Sequence, residues 1–415
     1  MTPVAVGGRP CNWQNQACGD SLNRRRHMPS RLDNARRDFL KISAMGFSAA
    51  ALAPLATRMF AQEAKPKHDL SNVKRGTLLG AGQQVNIQTG DKRWVLSIVD
   101  LDAEALAPRL VVMDFQGHGF APDPRDPNKM VIFEKHGPGC CEVDLAEGKV
   151  TRSMPPVKGA KFYGHGAYSP DGAELYATES IIDEAYRGII SIRDGKTFEL
   201  KGEFPTFGAA PHDCTLIDEG KTMVVTNGGG KLDGPKPCVT YVNVPKRELI
   251  EKLEFENENI NAGHLIVTRK GDLLCSNARR EGLPEDALGG MSVRVKGGKL
   301  TTFTKPEDVY KRMVGETLSL AFNEETRIVA ATNPYGNIVT FWNIDTGELK
   351  RKIEVQNPRG IVLTLDNTYF VLSYQKDPVV ALVDAKTCEP VKGSKFANAP
   401  ISGSHMFIHA MPRLA

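Results

Sequence analysis

Five histidines recur along this chain, each beside small or turn-forming residues at the start of a short strand-like segment: Gly117-His118-Gly119, Gly164-His165-Gly166, Pro211-His212-Asp213, Gly263-His264-Leu265 and Ser404-His405-Met406. Two other positions fill the gaps in the series, Glu316 in Gly315-Glu316-Thr317 and Arg359 in Pro358-Arg359-Gly360. The steps between the seven positions are 47, 47, 52, 52, 43 and 46 residues. Imidazoles and a carboxylate that converge in a partly closed space suit iron, copper or zinc better than calcium or magnesium. The expected metal ligands are therefore His118, His165, His212, His264, Glu316 and His405, with iron or copper ahead of zinc. Arg359 does not suit a metal; it suits an anionic ligand lying over the site, or a salt bridge with Glu316. No P-loop, Rossmann, GxSxG or HExxH pattern stands in a supporting context, so no nucleotide cofactor is expected and no nucleophile–base pair stands out.

Residues so far apart in sequence meet only if something repeats between them. Strand-rich units at a period of 40 to 50 residues are the signature of a β-propeller. In such a fold the innermost strand of each blade runs along the central channel, and residues at its start sit near one mouth. The unit around His165 shows the plan: Phe162 to Tyr168, the turn Ser169-Pro170-Asp171-Gly172, Ala173 to Thr178, Gly188 to Arg193, the turn Asp194-Gly195-Lys196, and Phe198 to Phe204. Proline and glycine stand where tight turns want them. The unit at Glu316 repeats it with Leu318 to Phe322, Arg327 to Thr332, Asn337 to Asn343 and Leu349 to Glu354. The unit at Arg359 gives Gly360 to Thr364, Tyr369 to Tyr374, Val379 to Val383 and a final strand before Phe396.

After His405 one strand remains, Met406 to Met411. Three more strands at the other end, Gly76 to Ile87, Arg93 to Leu101 and Leu106 to Met113, can complete that blade. Joining the two ends removes the open sheet edges of a linear array. The expected fold is thus all-β: a seven-bladed β-propeller over residues 77–415, closed by pairing N-terminal strands with the C-terminal strand. Segments Gly228 to Pro237 and Arg279 to Gly290 read as face loops, and Pro306 to Met313 as a helical turn.

The N-terminus has a different character. Arg36-Arg37-Asp38-Phe39-Leu40-Lys41 precedes a mildly apolar stretch, Ile42 to Leu55, with small residues around Ala61 and Ala64. This matches a bacterial twin-arginine (Tat) export signal over residues 1–62, with Met28 as an alternative start and residues 63–76 as a linker. The expected location is the periplasm, without a membrane span in the mature protein. The net charge of +4 draws on Arg24, Arg25, Arg26, Arg31, Arg36 and Arg37, all within the first 40 residues. No basic stripe with interleaved aromatics follows, so nucleic acid is not an expected partner. Cys11 and Cys18 precede the mature region, leaving Cys140, Cys141, Cys214, Cys238, Cys275 and Cys388, with no CxxC or CxxCH for redox exchange or haem attachment. The vicinal Cys140-Cys141 reads as one inward and one outward residue of a strand. His136 reads as part of a turn, and His409 as sharing the face of His405. Asp213 should face away from His212, into packing or to support a ligand. Cys214 should share the face of His212 at a deeper level, as a soft candidate ligand or, more commonly for such a residue, a buried apolar thiol.

The Tat signal, Phe162-Tyr163-Gly164-His165-Gly166, Ala210-Pro211-His212-Asp213, Asn227-Gly228-Gly229 and Gly263-His264-Leu265 together resemble a bacterial family of Tat-exported, WD40-like (YVTN-type) propellers, the domain of unknown function 1513. The resemblance implies a link with periplasmic iron uptake. A partial likeness to copper-containing nitrous-oxide reductases rests on the Tat signal, the histidine-lined propeller and a Pro-His-Asp segment, but this chain lacks their Cys-rich electron-transfer domain. The resulting expectation is a periplasmic, monomeric protein that binds a transition metal, or a small metal-associated ligand, at a His-rich channel mouth. Its role would be accessory, in metal handling, with metal-uptake or redox proteins as partners. A metal-dependent oxidoreductase and an interaction scaffold with structural histidines are the alternatives.

Overall fold

In the computed structural model the described residues are 70–86, 88–375, 378–403 and 405–412. The export signal, the alternative start Met28, Cys11, Cys18, Ser404 and the first half of the expected linker, residues 63–69, lie outside them. Among the described residues no helix is long and apolar enough to cross a membrane.

The chain is an all-β propeller. Antiparallel strands follow one another outward in sequence order, as in Pro211–Ile217, Thr222–Asn227, Cys238–Asn243 and Glu248–Glu254. Alternation along a strand sends neighbouring side chains to opposite faces, and here both faces are covered. In Ile338–Asn343, Phe341 packs with Phe370 and Leu372 of the following sheet, while Trp342 packs with Leu274 and Met291 of the preceding one. Truncating either ring to alanine is expected to cost about 3–5 kcal/mol. The vicinal cysteines divide the same way. Cys140 joins Phe133 and Phe162, and Cys141 joins Leu79 and Leu96. The expected alternation holds, but neither thiol faces outward, because a sheet between two neighbours has no outer face. All six described cysteines are buried and free.

The two ends meet as expected. Met406–His409 pairs with Thr77–Val85, from Gly80↔Met406 to Thr77↔His409, and Lys92–Asp100 and Arg109–Met113 complete that sheet. Leu78 and Val99 pack on Val371 and Val380, so the first residues of the circle touch the last. The helical turn is present as Glu307–Tyr310.

The number and make-up of the sheets depart from seven equal blades. Hydrogen bonding among the described residues gives six sheets, five with four strands or more and one with three. One has eight strands, because Lys129–Gly137 runs past its own neighbours and pairs with Ala160–Tyr168 through Lys135↔Tyr163 and Gly137↔Phe162. The three-stranded sheet, Ile361–Leu363, Tyr369–Tyr374 and Val379–Asp384, lacks the final strand expected before Phe396. That segment makes only the isolated bridges Val383↔Pro390 and Val380↔Phe396. Pro390 has no amide to donate, and Gly393 turns the backbone at φ 78°, so a continuous ladder cannot form.

Candidate metal centre

Four of the histidines, His118, His165, His212 and His264, stand where an innermost strand carries one or two extra residues relative to its partner. The pairing shifts between Gly117 and Gly119, between Phe162 and Gly166, and between Pro211 and Cys214. At His264 the bulge shows in the hydrogen bonds. The Gly263 N–H donates to the Ser276 carbonyl at 2.8 Å, and the Ser276 N–H donates to the His264 carbonyl at 2.9 Å. Arg359 and Gly360 stand opposite Ser373 in the same way. Such bulges re-aim a side chain at the cost of an unpaired amide.

A buried hydroxyl on the facing strand receives that amide. His165 N–H donates to Thr178 Oγ1 (3.3 Å), Asp213 N–H to Thr226 Oγ1 (3.0 Å), and His264 N–H to Ser276 Oγ (2.9 Å). Ser319 N–H donates to Thr332 Oγ1 (3.1 Å) and Gly360 N–H to Ser373 Oγ (3.0 Å). Thr226 and Thr332 then donate across to the next sheet, to the carbonyls of Gly263 (2.6 Å) and Arg359 (2.7 Å). Sequence reasoning missed these residues, although a hydroxyl 12 or 13 residues after the amide it receives is a legible signal. The glycines permit the close approach. A Cβ on Gly119 would lie 2.2 Å from the Gly164 carbonyl, and one on Gly164, at φ +121°, would lie 2.7 Å from His118 Cδ2.

The result is one cluster. His118, His165, His212, His264 and His405 each present a nitrogen within 4.8 Å of all the others. The outer nitrogens are held first. His212 Nδ1 lies 3.2 Å from the Tyr163 carbonyl, His264 Nδ1 2.5 Å from the Leu318 carbonyl, and His165 Nδ1 3.2 Å from Asp213 Oδ1. Asp213 is itself fixed by the N–H groups of Cys214 and Leu265. A carbonyl only accepts, so in His212 and His264 the proton sits on Nδ1 and the Nε2 lone pair points inward. Those two Nε2 atoms are 2.7 Å apart, and His264 Nε2 is 3.4 Å from His118 Nε2. The Nε2 atoms of His165 and His405 are buried without a hydrogen-bond partner among the described residues.

Protonation does not relieve this crowding. Burial, then the neighbouring imidazoles and Lys135, hold His118 well below the ordinary histidine value. His212, His264 and His405 are lowered as strongly, with burial again the chief cause. Burial, then Lys135, takes His165 to about 3. The donor set fits a metal ion instead. Nitrogens about 2.0–2.1 Å from one ion lie about 3–3.4 Å apart when adjacent and about 4.2 Å apart when opposite. Five such nitrogens within 4.8 Å could hold a metal.

The remaining candidates are placed differently. Glu316 and Arg359 are outside this five-residue group and line the hollow above it together with Lys135, whose ammonium Glu316 attracts and Arg359 repels. Arg359 Nε donates to the Ser402 carbonyl at 3.2 Å. Cys214 packs with Ile190, Phe204 and Met223, its thiol pushed up by burial. The bulge at His212 breaks the alternation on which its expected place beside His212 depended. His136 closes the strand Lys129–Gly137 at φ 64°, its ring 4.4 Å from that of Tyr163, and burial lowers it to about 4. His409 turns away to the Pro127 carbonyl at 2.7 Å. Of the two places expected of Asp213, packing or support of a ligand, it takes the second, beside His165 Nδ1.

Residues 111–398 match the model of a family described as a protein of unknown function, DUF1513. No curated protein sequence matches the chain. Among solved structures, Kuenenia stuttgartiensis hydrazine synthase is similar in fold, with a TM-score of 0.57 and 13% identity over 82% of this chain and 99% of that one. At that identity the likeness speaks for the fold alone.

Proposed function

The chain belongs to the DUF1513 family of proteins of unknown function, and we propose that this member binds a transition-metal ion within its five-histidine cluster. The observation that carries the proposal is the His212–His264 contact. Two nitrogens at 2.7 Å, each with its other nitrogen committed to a carbonyl, oppose lone pair to lone pair unless a cation lies between them and their neighbours. Protons are disfavoured by burial and by mutual repulsion. Five imidazoles favour iron or copper, with zinc next. A scaffold with purely structural histidines gives no reason for the buried, unpartnered Nε2 atoms of His165 and His405.

The role we propose is metal handling, iron first, in the periplasm after export through the twin-arginine signal of residues 1–62. The reading treats the ring as seven blades, with the eight-stranded sheet as two blades joined by two residue pairs and the three-stranded sheet as one. Its support is that the buried clusters each bridge successive strand groups around a closed circle. A metal-dependent oxidoreductase is the second reading, favoured by a hollow of about 380 Å³ that reaches His118 and leaves room for a small substrate.

Metal analysis of natively purified protein tests the proposal beside a variant carrying His165→Ala and His212→Ala. Wild type should hold about one ion per chain and the variant far less. Equally negligible metal in both would end the proposal. Redox turnover by the metal-loaded wild type would favour the second reading.

A further inference from the structure

Lys135 was not singled out by its sequence context, yet its charge acts on all five histidines of the cluster. It stands near the end of Lys129–Gly137, where the strand leaves its own sheet and pairs with Tyr163, and left-handed His136 follows it. Its side chain reaches water, and among the described residues it makes no hydrogen bond or ion pair. Arg359 lines the same hollow, and among the described residues its guanidinium is bonded only through Nε, to the Ser402 carbonyl. The two cations repel one another, and Glu316 draws Lys135 without reaching ion-pair distance. All three line a hollow of about 380 Å³ with His118 in its wall. A second hollow of about 220 Å³ shares Lys135 and Glu316 and is walled by His212 and His264.

Two carboxylates, Glu134 and Glu316, stand against these two cations in the lining, but Glu134 accepts the Gly139 N–H and neither carboxylate is within ion-pair distance of Lys135 or Arg359. Among the described residues the Lys135 ammonium and the outer nitrogens of Arg359 therefore face the hollow without a partner. An anion placed between two cations that face one small polar space relieves their repulsion. Arginine presents a planar donor fork that matches an oxyanion edge, and lysine supplies a compact point charge.

We propose that the hollow over the histidine cluster binds a small oxyanion, a carboxylate in the first place, with Lys135 Nζ and the Arg359 guanidinium as its counter-ions. The anchoring of the anion's far end on a metal rests on the function proposed above; its recognition by the two cations does not.

The test titrates acetate, and separately sulfate, into the purified full chain by calorimetry, with metal content measured in the same samples. Wild type should bind acetate. Lys135→Met and Arg359→Gln should each weaken binding about tenfold or more, and the double variant should abolish it. Sulfate binding with the same dependence supports an oxyanion site and widens its class beyond carboxylates. Arg359→Lys, which keeps the charge but not the fork, should fall between wild type and Arg359→Gln, and melting temperatures confirm that each variant is folded. Undiminished binding by a folded double variant, or no binding of either anion to a metal-bearing wild type, overturns the inference. Anion binding that needs Lys135 and Arg359 in a wild type without metal upholds it while removing the metal proposal. The failure of both bindings removes both.

Discussion

His212 and His264 meet Nε2 to Nε2 at 2.7 Å, each with its Nδ1 turned outward to a main-chain carbonyl, that of Tyr163 and that of Leu318. A cation between them converts repulsion into attraction, so metal removal should be felt as lost stability. Chelator-treated protein is expected to melt lower than protein refilled with metal. An ion at about 100 times its dissociation constant adds about 2.7 kcal/mol, which corresponds to a rise on the order of 5 °C. Calorimetric melting before and after refilling measures it, and superimposable curves would contradict the metal site.

Asp213 orients His165 through Nδ1 at 3.2 Å, and burial raises its carboxyl to about 7. Asp213→Asn keeps the size of the side chain but weakens the acceptor that fixes the imidazole. Metal affinity should fall about 10–100-fold with the fold retained. Competition against a chromophoric chelator gives the number, and an unchanged affinity would remove Asp213 from the site.

Gly164→Ala places a methyl group 2.7 Å from His118 Cδ2 on a backbone at φ +121°. Either the backbone or the ring must shift. Metal stoichiometry should drop while circular dichroism still reports a folded β protein, and full metal content in this variant would show that His118 tolerates displacement.

Thr226 accepts the Asp213 N–H and donates to the Gly263 carbonyl, linking two sheets at the level of the histidines. Thr226→Val preserves shape and strands both buried groups. The expected loss is about 1–3 kcal/mol in urea unfolding, larger than for an exposed threonine.

The five histidines were legible because a repeated unit returns the same position to the same level of the ring. The turns were legible for a local reason, proline and glycine at fixed offsets, as in Ser169-Pro170-Asp171-Gly172. Lys135 was not legible. Its approach to the cluster depends on a strand crossing to the neighbouring sheet and on a left-handed residue after it, and neither leaves a mark in the hydrophobic pattern. Cys214 was misplaced for a related reason, since one extra residue at His212 reverses every later side chain on that strand. The merging of two expected blades into one sheet turned on the same Lys135↔Tyr163 pairing.

Arg327 joins Asp345, through Nε at 3.0 Å and Nη2 at 2.8 Å, to buried Asp272. Burial alone would raise Asp272, but hydrogen bonds from Arg327, the Lys296 N–H and Thr268 outweigh it and hold the carboxyl below its usual value. Asp345 is lowered chiefly by the Arg327 hydrogen bond. Carboxyls depressed in the folded state stabilise it above their unfolded value, about 3.9, and that stability is lost as pH falls through the folded value. Arg327→Met should therefore destabilise the protein strongly at neutral pH and much less in acid. Urea midpoints from pH 7 down to about pH 2 would show the gap closing; a constant gap would assign the loss to packing alone.

His405 lies immediately before the strand that pairs with Thr77–Val85, whereas His118 through His264 belong to the middle of the chain. Four of the five imidazoles can thus be in place while the circle is still open, and the fifth arrives only with the stitch that shuts it. An ion held by all five would be a latch as well as a ligand. It is gripped fully only by a chain whose two ends have found each other, and once gripped it resists their parting.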